Sequence, residues 1–190
     1  NGLPAQGWAG RMGPSLGDVD NDGGMDLAYI SDNGGVRVYA WDEASGQWND
    51  FSGTLPATGN YELSQLADID NDGMVDVAAF GDGIVRIWLG DGSGNWTEAA
   101  MVTTPSPGNA QAFRAGGDVD HNGYPDFVII SEEGTWINYK NYLHFYKETS
   151  SATALSINNL FPRGGEMFYQ HSVQFIRWIT SVPGESASLV

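Results

Sequence analysis

Asp18-Val19-Asp20-Asn21-Asp22-Gly23-Gly24-Met25-Asp26 recurs as Asp68-Ile69-Asp70-Asn71-Asp72-Gly73-Met74-Val75-Asp76, and again as Asp118-Val119-Asp120-His121-Asn122-Gly123-Tyr124-Pro125-Asp126. The copies start at residues 18, 68 and 118, a constant period of 50 residues. Self-similarity at a fixed period of this size is the signature of a repeat architecture, in which each repeat is one supersecondary unit. Immediately after each copy comes an apolar run, Leu27 to Ile30, Val77 to Phe80 and Phe127 to Ile130. Short apolar runs bounded by glycine turns read as buried strands. Further out, Val36-Arg37-Val38-Tyr39 aligns with Ile84-Val85-Arg86-Ile87-Trp88 after a shift of one, and Asp42 to Trp48 answers Asp91 to Trp96 across a Ser-Gly turn. Upstream, Gly2-Leu3-Pro4 corresponds to Gly53-Thr54-Leu55-Pro56.

These correspondences predict an all-β chain of three repeats, 1–52, 53–103 and 104–150, each a small antiparallel sheet, followed by a compositionally different segment over 151–190. In the third copy, Glu132 to Lys147 carries Trp136, Tyr139, Tyr142, Phe145 and Tyr146 but lacks an Asp-Gly-Ser-Gly turn. From Ser150 the composition shifts to Ser, Thr and Ala, and then to Leu160-Phe161-Pro162-Arg163-Gly164-Gly165-Glu166.

Composition narrows the function classes. With 41% hydrophobic residues the 190-residue chain can build a core, and no apolar run approaches the length of a membrane span. The net charge of −16 opposes phosphate backbones and anionic lipid surfaces, so nucleic acid is not an expected partner. The absence of cysteine excludes disulfides, thiolate metal sites and a cysteine nucleophile. Stapling must come from packing or from a metal held by oxygen. The chain starts at Asn1 without methionine or a leader, which fits a signal that was removed, was never there, or belongs to another part of a longer polypeptide.

Positions 1, 3, 5 and 9 of the three windows hold 11 of the chain's 24 acidic residues, plus Asn122. Carboxylates this close repel one another, and a cation is what relieves them. Calcium takes six to eight oxygens in irregular loops, magnesium keeps its waters, and zinc prefers histidine or cysteine; calcium fits best. Gly23, Gly73 and Gly123 at position 6 allow a sharp turn, and Gly24, Met74 and Tyr124 at position 7 can offer carbonyls. The loops are not EF-hands, because position 12 is Tyr29, Ala79 or Ile129 where a bidentate glutamate would stand. One Asp-Asn-Asp-Gly run is ordinary turn chemistry; three in register point to metal.

Asp-x-Asp-x-Asp/Asn-Gly-x-x-Asp followed by an apolar strand resembles the FG-GAP or VCBS repeat of integrin alpha chains and secreted microbial proteins. The resemblance covers residues 1 to about 150. It implies a β-propeller with one four-stranded blade per repeat and one calcium ion per repeat, three in all. The implied ligands are Asp18, Asp20, Asp22 and Asp26, then Asp68, Asp70, Asp72 and Asp76, then Asp118, Asp120, Asn122 and Asp126. Propellers close with four to eight blades, so three repeats imply part of a larger propeller, an open array or a unit completed by association. Pro162-Arg163-Gly164-Gly165-Glu166 followed by Val173 to Trp178 resembles the opening of a Pro-x-Gly-Gly-Glu β-sandwich module.

No catalytic residue is expected. His121, His144 and His171 have no metal spacing and no Gly-x-Ser-x-Gly elbow beside them. Glu132 and Glu133 read as a solvated turn. Trp48 and Trp96 at equivalent positions, with Tyr146 as a third, read as blade packing. The unrepeated Trp136, Tyr139, Tyr142 and Tyr169 are the candidates for stacking on a glycan or partner. Arg37 and Arg86 point to the far face of their strands, within reach of the excess carboxylates. The expected function is a calcium-binding extracellular module for adhesion, glycan or protein binding, or assembly with further copies of itself, since free calcium is abundant outside cells. The alternatives are the propeller of a secreted polysaccharide lyase or hydrolase, and a structural subunit of an extracellular filament.

Overall fold

The computed structural model describes residues 2–4, 9–104, 109–135, 137–149, 157–161 and 177–180, and among them the chain is all β with no helix. The first sheet runs β1 (Ser15–Gly17), β2 (Asp26–Ile30), β3 (Val36–Asp42) and β4 (Gln47–Asp50) in spatial order. The second repeats the same meander with β5 (Leu63–Ala67), β6 (Asp76–Gly81), β7 (Ile84–Gly90) and β8 (Trp96–Thr103). The third holds β9 (Asn109–Gly117), β10 (Asp126–Thr135) and β11 (Asn138–Tyr146). All neighbouring strands in these sheets are antiparallel.

Among the described residues the third sheet has three strands, with β11 at its outer edge. After β11, Lys147 pairs with Asp120, and the Glu148 amide donates to Asp126 as the Trp41 and Gly90 amides do to Asp26 and Asp76. The next strand, β12 (Ile157–Phe161), pairs with β13 (Arg177–Thr180) and leaves that edge alone. Pro162 to Ile176, with the Gly-Gly-Glu motif and most of the expected sandwich strand, lie outside the described residues, as do Tyr169 and His171.

Two apolar layers separate the three sheets. Alternation sends successive side chains of a strand to opposite faces, and the second sheet uses both. Val77 and Ala79 join Ala28, Ile30, Val36 and Val38 of the first sheet in one cluster. Ala78 and Phe80 join Phe113 and Ile129 of the third in the other. All six residues of β6 are therefore buried, and each large side chain so placed contributes roughly 1.5–3 kcal/mol of transfer free energy. The first strands of the repeats line up side by side: the Leu66 amide donates to Ser15 Oγ at 3.0 Å, and a Cβ on Gly17 would stand 3.1 Å from Leu66 Cβ. The sheets fan out from these strands as blades, and the three do not close a ring. The start of the second repeat is fixed by Gly53, whose φ of +43° lets it approach the Gly94 carbonyl where any Cβ would collide.

The aromatics expected to pack do so in part. Trp96 is buried, and its indole nitrogen donates to the Phe51 carbonyl at 2.9 Å. Trp48 is half-buried against Trp41, with ring centroids 5.2 Å apart. Tyr146 is not the third member of that pair. The register sets it opposite Phe127, the place of Trp88 opposite Val77, and it stacks on Phe127 at 4.8 Å.

A candidate metal centre in each blade

The three acidic windows form the loops that enter β2, β6 and β10, and they share one set of hydrogen bonds. Position 1 accepts from the position 6 amide: Gly23 to Asp18 at 3.1 Å, Gly73 to Asp68 at 3.2 Å, Gly123 to Asp118 at 2.9 Å. Position 3 accepts from the position 5 amide, at 3.2 Å on Asp20, 3.1 Å on Asp70 and 3.3 Å on Asp120. Position 5 accepts from the position 7 amide, at 2.6 Å on Asp22, 2.8 Å on Asp72 and 2.8 Å on Asn122. These Asx turns wind the backbone inside its own carboxylates. The winding needs left-handed backbone twice per loop. Position 6 is glycine at φ of 90°, 93° and 96°, and position 4 is Asn21, Asn71 or His121 at φ of 59°, 61° and 59°.

Position 9 is the hinge between loop and blade. Asp26, Asp76 and Asp126 are the first residues of their strands and are 0%, 0% and 3% exposed. One oxygen of each accepts from the position 2 amide: Val19 at 2.7 Å, Ile69 at 2.7 Å and Val119 at 2.8 Å. The other accepts from the chain leaving the third strand: Trp41 at 2.8 Å, Gly90 at 2.9 Å and Glu148 at 2.8 Å. Sequence reasoning saw these aspartates only as ligands and missed the second amide, which stands 14, 15 or 22 residues further along.

Burial is the largest force on the carboxyls of Asp26 and Asp76. It pushes Asp26 up to about 6, against the lowering pull of the Trp41 and Val19 amides and with the charges of Asp20 and Asp18 adding to it. Asp76 is likewise pushed up to about 6, with the Gly90 and Ile69 amides opposing. Asp20 and Asp68 are raised too, again chiefly by burial. Carboxylates held charged here are short of a positive neighbour.

The residues present fit a hard cation held by oxygen. One carboxylate oxygen each from Asp18, Asp20 and Asp22 lies within 4.8 Å of the others, and the same holds for Asp68, Asp70 and Asp76 and for Asp118, Asp120 and Asp126. Asp18 Oδ1 and Asp68 Oδ1 are buried and lack any hydrogen-bond donor. A buried anionic oxygen without a donor is costly, and a cation in the loop would satisfy it. The set is all oxygen, which suits calcium and not zinc.

The loops also touch in series. Asn21 Nδ2 lies 3.2 Å from Met74 Sδ, and Asn71 Nδ2 donates to the Gly123 carbonyl, so position 4 of one loop meets position 6 or 7 of the next.

The other candidates fall elsewhere. Tyr139 and Tyr142 are exposed but stand three residues apart on β11, so they face opposite sides of the sheet and form no common platform. Trp136 lies outside the described residues. Glu132 and Glu133 are not a solvated turn but part of β10. Glu133 is bound at 2.6 Å to His144 Nε2 and at 2.7 Å by the Ser131 hydroxyl, and those hydrogen bonds, Ser131 first, hold it below the usual carboxylate range. Ser131 and Glu133 share one ring nitrogen of His144, whereas a relay to a nucleophile needs acid and hydroxyl on opposite nitrogens. Arg86 reaches a carboxylate, Glu98, at 2.5 Å; Arg37 instead donates to the Ala57 carbonyl at 3.4 Å.

Among the described residues no helix is long and apolar enough to cross a membrane. A family model described as an FG-GAP-like repeat matches the chain twice, over residues 18–77 and 68–129. Each match starts on the first aspartate of one loop and runs into the strand that follows the next.

Proposed function

The chain belongs to the FG-GAP-like repeat family, and from that premise we propose that it is a calcium-binding, extracellular, non-catalytic propeller module. One ion sits in each loop. Its ligands are Asp18, Asp20, Asp22 and Asp26, then Asp68, Asp70, Asp72 and Asp76, then Asp118, Asp120, Asn122 and Asp126, with the carbonyls of Gly24, Met74 and Tyr124 completing the shells. The observation that carries this reading is the pair of donorless buried oxygens, Asp18 Oδ1 and Asp68 Oδ1, at the same place in two loops of identical hydrogen bonding. Free calcium at extracellular levels fills sites of modest affinity, which supports a secreted or surface location. The module's work is adhesion, recognition of a glycan or protein, or assembly with further blades or copies. Tyr139 and Tyr142, with Trp136, remain the contact residues proposed for an external ligand.

The test is a thermal melt of the chain in millimolar calcium and after chelation. A melting temperature several degrees lower in EDTA supports the proposal, because a ligand that binds only the native state stabilises it by mass action. Identical melts would overturn it.

A further inference from the structure

We propose that the third loop carries its own counter-ion, Lys147, and therefore takes calcium only after the first two loops are filled. The inference rests on the loops being calcium sites and concerns how the three differ.

In the first two loops an oxygen of the position 1 aspartate has no donor. In the third the equivalent Asp118 Oδ1 accepts from the Asn122 amide at 3.2 Å, so this buried acceptor is already satisfied. Asp120 Oδ2 lies 3.2 Å from the Lys147 ammonium. Position 5 is Asn122, whose side-chain nitrogen donates to the Glu148 carbonyl at 3.1 Å while its oxygen accepts from Tyr124. The amide is held at both ends by the protein.

The register shows that Lys147 is peculiar to this blade. Leu27 pairs with Tyr39, Val77 with Trp88 and Phe127 with Tyr146, so the next residue is Ala40, Leu89 or Lys147. Ala40 and Leu89 pack into the two apolar layers. Among the described residues no sheet covers that face of the third sheet, and Lys147 there reaches over to the loop. The formal charges follow. The first two windows carry four aspartates each, −4; the third carries three aspartates and gains one ammonium, −3 + 1 = −2. Calcium entering the third loop meets half the charge and must displace an ammonium that already neutralises one of its ligands.

Calcium titration by calorimetry separates the sites. The unaltered chain should show two sites and a third at least about tenfold weaker, and Lys147→Met should tighten the third by about tenfold while leaving the other two unchanged. Lys147→Gln, which keeps a polar end, should do the same, and circular dichroism confirms that each variant is folded. Asp120→Asn assigns the site: it should remove the weak step alone. Three equal sites in the unaltered chain, an unchanged third constant in both lysine variants, or loss of a strong step in Asp120→Asn would each overturn the inference. A complete absence of calcium binding would instead overturn the underlying reading of the loops, so the two failures are told apart.

Discussion

Position 3 and position 9 of each loop are both aspartate, but the structure gives them different work. Asp20 faces other carboxylates and accepts from the Asp22 amide, whereas Asp26 ties two backbone amides together from inside the protein. Asp20→Asn should therefore lower the melting temperature in calcium yet leave it unchanged or slightly raised in EDTA, where it only removes repulsion. Asp26→Asn strands a buried amide at a cost of about 1–3 kcal/mol and should lower the melt in both conditions. Equal behaviour of the two variants would refute the division. The same burial sets a pH dependence. Asp26 and Asp76 have folded pKa values of about 6 against 3.8 for an ordinary aspartate, so the folded chain holds their protons more tightly than the unfolded one. Their penalty is full above about pH 6 and shrinks as pH falls towards 3.8. Asp42, Asp91 and Glu133 are shifted the other way by hydrogen bonds, and their contribution is lost only as pH falls below their ordinary values of 3.8, 3.8 and 4.5, so it is intact at pH 5. Without calcium, the melt should rise between pH 7 and pH 5; with calcium it should fall, because protons compete for the ligands. A chelated sample that melts lower at pH 5 contradicts the assignment. His121 bears a separate strain: at φ of 59° it occupies a position that asparagine fills in the other two loops. His121→Asn should stabilise the chain by about 0.5–1 kcal/mol, read as a small upward shift of the melt in EDTA.

At the scale of strands, the two equivalent tryptophans are unequal because of what covers them. Trp96 lies in the apolar layer between the first two sheets and donates its indole nitrogen, while Trp48 lies half-buried on the far side of the first sheet. Trp96→Ala should cost about 3–5 kcal/mol and Trp48→Ala distinctly less, by chemical denaturation in calcium. That difference was not legible in the sequence, where both follow a Ser-Gly turn. The loops were, because a 50-residue period lets each copy support the others, and so was the shifted alignment of Val36 to Tyr39 with the second copy's strand, since Tyr39 and Trp88 hold the same place in their registers. Contacts made by register were hidden. Glu133 meets His144 only because β10 and β11 extend into a hairpin of nine paired positions, and no local pattern announces a bond 11 residues apart. The same holds for Lys147, which reads as a surface charge until the shortened third blade brings it beside Asp120.

For the molecule as a whole, the decisive fact is that each blade presents one face forward and the other back. Inside the stack these faces bury one another, and among the described residues no blade covers the two outer faces. At one end Leu16 is 63% exposed beside the stacked rings of Tyr29 and Tyr39, whose centroids are 6.0 Å apart. At the other, Leu143 and Phe145 are 56% and 57% exposed on β11, on the face where the second sheet buries Val85 and Ile87. Apolar side chains gathered on one face of an edge strand favour association. Calcium should promote it further, since each bound ion removes two negative charges from a chain of net −16 and weakens the repulsion between molecules. The double change Leu143→Lys and Phe145→Lys removes the apolar patch at a site where neither side chain supports the core. It should reduce binding of a hydrophobic dye and shift the particle mass by light scattering towards one chain, while the melting temperature in calcium stays within about 2 °C. A variant that melts much lower would mean that these side chains already pack within the chain, and an unchanged mass above one chain would place the contact on the Leu16 and Tyr29 face instead.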